Sequence, residues 1–162
     1  MELTVPLAEA VAVLRATGVL PQAVTNVTGR GPSVLASVDV HKLPEVPGPV
    51  KSAARFAGPF EAQLDDRGIA GRTWTLVLRV THPVLRFDLS SFVTTAVQGQ
   101  LGKVPTGLAT ARAEHGATLI EVDLDNAAAL VPDRVPALRG VHVRVEAVSL
   151  GEQVHLVVAA SG

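Results

Sequence analysis

Apolar and polar residues alternate along several stretches of the chain, most clearly over Thr73–Thr81. Trp74, Leu76, Leu78 and Val80 fall on one side, and Thr73, Thr75, Arg79 and Thr81 on the other. A period of two sends successive side chains to opposite faces of a strand, so this segment reads as a half-buried β-strand. The same pattern marks Ser33–His41, Phe60–Asp65, Leu85–Leu89 and Ala117–Leu124, and more weakly Gln22–Thr28. Val141–Val148 and Gln153–Ala160, with Leu150-Gly151 between them, read as a closing hairpin.

Helical spacing appears elsewhere. Pro6–Thr17 carries Leu7, Val11 and Leu14 on one stripe, with Pro6 suited to the first turn and Gly18 to the stop. Ser90–Leu101 carries Phe92, Val93, Ala96, Val97 and Leu101, with Asp88 or Ser90 as the N-cap. Val50–Ala57 reads as a short helix, and so does Asn126–Leu130, capped by Asp125 and ended by Pro132. Lys103–Gly116 reads as a loop or a poor helix. Gly29–Pro32 and Asp65–Gly68 carry turn chemistry, and Pro44, Pro47 and Pro49 make a stiff connection. Strands dominate, tight turns join neighbours, and no βαβ alternation appears. The pattern predicts an α+β domain over residues 1–162: a largely antiparallel twisted sheet of about seven or eight strands, with two to four helices packed on one face.

Composition narrows the function classes. The 162 residues are 48% hydrophobic, 18% charged and 3% aromatic, with no Cys and a formal net charge of −1. This much apolar mass at so little net charge excludes a disordered chain. The missing cysteines exclude disulfides, thiolate zinc sites and a thiol nucleophile. Lys+Arg (14) balance Asp+Glu (15), so no basic footprint for nucleic acid is present. The longest apolar runs, Leu7–Leu14 and Val154–Ala160, are broken by Glu9 and His155 and fall short of the ~20 residues a spanning helix needs. Glu2 and Glu9 stand where a signal peptide would be basic, which points to a cytoplasmic chain.

Catalytic chemistry has few candidates. There is no GxSxG elbow, and Gly29–Gly31 and Gly99–Gly102 match neither a phosphate loop nor a dinucleotide fingerprint. No cofactor is expected. A two-residue hairpin loop would set Glu146 opposite His155, with His142, Arg144 and Gln153 on the same face. A carboxylate beside an imidazole makes a base dyad for an anionic substrate, and an ordinary solvated sheet face gives the same pattern. Glu121, Asp123 and Asp125 alternate at strand spacing; joined by loop oxygens they suit a hard cation, and the plainer reading is a polar outer face with Asp125 as a helix cap. His82-Pro83 marks a bend or a bulge.

The remaining feature is apolar surplus, with a mean hydropathy of +0.35. It points to a groove for a hydrophobic small molecule or lipid, lined by Leu76, Leu78, Phe87, Phe92, Val97 and Leu101, in a protein that is not an enzyme. A homodimer joined through sheet edges or apolar helix faces uses the same surplus, and an enzyme built on Glu146 and His155 is the further alternative. The succession of strand, short helix, loop and hairpin over Ala117–Ala160 resembles small bacterial lipid-binding domains of the elongated tubular type. That resemblance lies in pattern; no motif accompanies it, and no functional residue is carried over.

Overall fold

Glycine at the reversals lets the alternating segments fold back on one another. The computed structural model describes every residue except Pro44, Glu45, Leu85 and Phe87. In chain order it contains β1 (Glu2–Pro6), α1 (Leu7–Ala16), β2 (Val24–Arg30), β3 (Ser33–Val38), α2 (Gly48–Ala57), β4 (Phe60–Ala70) and β5 (Thr73–Thr81). Then follow α3 (Ser90–Leu101), β6 (Ala109–Glu114), β7 (Ala117–Asp123), α4 (Leu124–Arg134), β8 (His142–Leu150) and β9 (Gln153–Ser161). Every strand pairing is antiparallel. The α+β architecture read from the alternation is the one observed, and the nine strands among the described residues divide between two sheets. One has six strands in the order β2-β3-β4-β5-β7-β6, the other three in the order β1-β9-β8.

Several elements differ from their sequence reading, each for a local reason. β1 and β6 were not expected as strands. β1 offers only Leu3 and Val5 as apolar alternation, and its partner β9 lies at the far end of the chain. β6 is an edge strand whose inward side chains are small alanines. Asp65–Gly68 is not a turn. β4 runs through it with a register shift between Asp66 and Ile69, because the Asp66 carboxylate accepts the Gly68 N–H at 2.8 Å and Gly68 takes a positive φ of 83°. The chain reverses at Gly71-Arg72 instead, with Gly71 also at positive φ. α4 is longer than read: Asp123, not Asp125, caps it, accepting from the Asp125 and Asn126 N–H groups, and the helix carries Pro132 in its last turn. Of the strand expected over Leu85–Leu89, Leu85 and Phe87 lie outside the described residues, and Arg86, Asp88 and Leu89 are not in a strand.

Two apolar clusters follow from this layout. α2 and α3 cover one face of the large sheet, where Val38, Val50, Ala54, Phe60, Ala62 and Val93 pack together and Phe60 is 1% exposed. α4 and the small sheet enclose the second cluster of Leu124, Ala128 and Val145, with Trp74, Val148 and Leu156 packed against it. β5 serves both: Trp74 meets the second cluster, while Leu78 and Val80 meet the first. The other face of the large sheet is mixed, with a polar cluster beside Leu35, Val77 and Leu119. There Ser33 and Gln63 donate to Asp65 at 2.6 and 2.8 Å, and Arg79 pairs with it at 3.2 Å. No helix among the described residues is long and apolar enough to cross a membrane.

Candidate functional site

The apolar residues singled out from the sequence take two kinds of position. Leu76 is buried in mid-sheet. Leu78, Phe92 and Val97 are half-buried on the face that α2 and α3 cover, and Leu101 is half-exposed at the end of α3. Phe87 lies outside the described residues. At one end of this face, Phe56 is 90% exposed and Val84 74% exposed. His82 ties the exit of β5 to the end of α2. Its Nδ1 accepts the Val84 N–H at 3.0 Å, so the ring proton sits on Nε2, which donates to the Ala57 carbonyl at 3.0 Å. The ring also meets Phe60 edge-on, with centroids 5.1 Å apart. The His82-Pro83 bend is therefore a fixed corner of the apolar face.

The carboxylate–imidazole dyad is not formed. His155 stands opposite Ser149, and Glu146 falls in a register shift between Val145 and Ala147. The hairpin reverses over more than the two residues read from the sequence, since Leu150 faces Val154, and this alone slides Glu146 past His155; the bulge takes back only part of that slip. His155 instead faces β1, with Nδ1 3.1 Å from the Thr4 hydroxyl and 3.7 Å from the Glu2 carboxylate. The acidic trio is also dispersed. Glu121 pairs with Arg112 on the mixed face, Asp123 caps α4, and Asp125 pairs with Arg72 at 2.8 Å. Among the described residues no group of three or more His, Asp or Glu is placed to hold a metal ion.

Two residues that the sequence reading passed over organise the junction between the sheets. Arg72, at the tip of the β4–β5 hairpin, donates from Nε to Asp125 and from Nη1 to the Val145 carbonyl, both at 2.8 Å; its Nη2 is buried without an acceptor among the described residues. Asp66 accepts from Trp74 Nε1 at 2.9 Å through one oxygen and from the Leu150 N–H at 2.8 Å through the other. The available signals were slight: an Asp interrupting a strand, and an Arg after a glycine between two long alternating runs. The backbones also meet closely here. A Cβ added to Gly29 would overlap the backbone at Glu152, and one added to Gly151 would overlap the Gly31 carbonyl.

Two surface clefts flank this junction. The larger, about 470 Å³, is lined by Arg72 and Asp125, by Ala128, Ala129 and Pro132 of α4, and by Val141, His142, Val143 and Arg144. The smaller, about 420 Å³, lies at the β8–β9 tip between Gly31, Pro32, Asp66, Leu150 and His155. None of Leu76, Leu78, Phe92, Val97 and Leu101 lines either cleft. No family model matches the chain, and neither a curated protein nor a solved structure matches it.

Proposed function

We propose that the protein is a non-enzymatic binder of a hydrophobic small molecule or lipid, taken up on the sheet face beneath α2 and α3. The observation that carries this reading is the exposure of two apolar side chains at one end of that face. Phe56 and Val84 stand in solvent there, next to a face on which Leu78, Val80, Phe92 and Val97 are only half-buried. A solvated phenylalanine forgoes about 1.5–3 kcal/mol of burial, which a bound apolar molecule would recover. Leu76 belongs to the floor of the sheet, and Leu101 to the far end of α3.

Mass spectrometry of the purified protein, native and then after organic extraction, tests this directly. The expected result is a stoichiometric apolar molecule, lost from folded Phe92→Ser and Phe56→Ser variants. A folded wild-type protein that is empty, and that binds no fluorescent fatty acid, would overturn the reading. A second reading, pairing of two copies through α1, is supported by Val13 and Leu14, which are 61% and 42% exposed on that helix. It predicts a dimer by sedimentation that Val13→Lys dissociates.

A further inference from the structure

β8 ends the three-stranded sheet, and its ladder fixes which backbone groups face outward. Val158 exchanges hydrogen bonds with Met1: its N–H donates to the Met1 carbonyl at 2.8 Å, and the Met1 amino group donates to the Val158 carbonyl at 2.7 Å. Val158 therefore turns away from β8. Its cross-strand partner Val145 in turn faces away from β9, and Val143, two residues earlier, does the same. Side chains from the large sheet already occupy part of this edge. Arg72 takes the Val145 carbonyl and Asp66 takes the Leu150 N–H. Among the described residues nothing meets the Val143 N–H or carbonyl.

The larger cleft opens beside Val143. Its far wall is α4, where Ala128, Ala129 and Pro132 are too short to fill the space. His142 and Arg144 flank Val143 along the strand, on the opposite face from the one α4 covers. Arg72 is neutralised by Asp125, whereas Arg144 has no carboxylate partner among the described residues. The cleft thus joins the unpaired backbone of Val143, a wall of small side chains and an uncompensated cation.

We infer that this cleft takes an extended peptide segment as an added strand on β8, with acidic residues on either side of a small apolar one. Residues directly opposite in a ladder share a face. The peptide residue paired with Val143 points toward Ala128 and Ala129, where a valine-sized side chain fits. Its two neighbours stand beside His142 and Arg144, where one carboxylate accepts a hydrogen bond from the His142 ring and the other meets the Arg144 guanidinium. Backbone hydrogen bonds to Val143 fix the register, and the alternating side chains give selectivity.

Fluorescence anisotropy with labelled hexapeptides tests this. One peptide alternates Glu and Val, a second alternates Lys and Val, and a third is the Glu–Val peptide with every valine N-methylated; free glutarate serves as competitor. The Glu–Val peptide is expected to bind, the other two at least tenfold more weakly, and glutarate in excess not to displace it. Arg144→Glu, at an exposed position, is expected to weaken the Glu–Val peptide at least tenfold with an unchanged circular dichroism spectrum. Failure of the folded protein to bind the Glu–Val peptide would overturn the inference, as would equal binding of the N-methylated or Lys–Val peptide. Displacement by glutarate would also overturn it, by reducing the cleft to a site for small carboxylates.

Discussion

The two sheets are held by different means. The six-stranded sheet rests on apolar burial, with α2 and α3 closing over Phe60, Val38 and Val93. The three-stranded sheet packs with α4 around a smaller cluster centred on Leu124, Ala128 and Val145, and its edge is fixed to the larger sheet through the Arg72 guanidinium and the Asp66 carboxylate. The first arrangement is non-directional and tolerates changes of similar volume. The second depends on individual donors and acceptors and on a close approach of two backbones, so it fails when a single group is lost.

The largest effect is expected in the burial-dominated half. Phe60→Ala should cost about 3–5 kcal/mol in urea denaturation, the range for emptying a large buried site. Asp66→Ala comes next. It leaves the Leu150 N–H and Trp74 Nε1 without their acceptor, at about 1–3 kcal/mol for an unsatisfied buried group, and tryptophan emission should shift to the red. Gly29→Ala should cost about 1–3 kcal/mol, because two backbones must separate to admit one methyl group. Equal costs for Phe60→Ala and Asp66→Ala would erase the distinction between the halves.

A smaller effect belongs to the polar cluster. The Ser33 hydroxyl, then the Gln63 amide, hold the Asp65 carboxyl below its usual value of 3.8. A depressed folded value means that the contribution is full above the unfolded value and lost as pH falls through the folded one. Ser33→Ala should therefore lower stability at pH 5–7, and the difference from wild type should shrink as pH drops below 3.8. A difference constant from pH 7 to pH 2 would contradict this. Smallest of all, Phe56→Ser should change stability by no more than about 0.5 kcal/mol while removing apolar ligand, which separates function from folding on the α2 face.

The sequence made legible what depends on near neighbours. β5 was readable residue for residue from its alternation, and α3 from its apolar stripe, because each pattern is local. The pairing of β1 with β9 was not, since it joins the two ends of the chain. The division into two sheets follows from contacts at Asp66, Arg72, Gly29 and Gly151, none of which has a periodic signature. Leu78, Phe92 and Val97, singled out by the apolar pattern, pack against the same cluster. The pairing of Glu146 with His155 was misjudged because the hairpin loop is longer than the two residues that Leu150-Gly151 suggested, and loop length sets the register of the whole hairpin.

The passage of β5 through both clusters equips the molecule with an internal reporter. The chain has one tryptophan and no tyrosine, so intrinsic fluorescence excited at long ultraviolet wavelengths comes from Trp74 alone, which packs against the smaller cluster. Far-ultraviolet dichroism, by contrast, is weighted toward the six-stranded sheet and its helices. Heating the wild-type protein while recording both signals compares the two halves without a label. Superimposed curves would mean that the shared strand makes them melt as one cooperative unit, and an earlier fluorescence transition would mean that the small sheet loosens first.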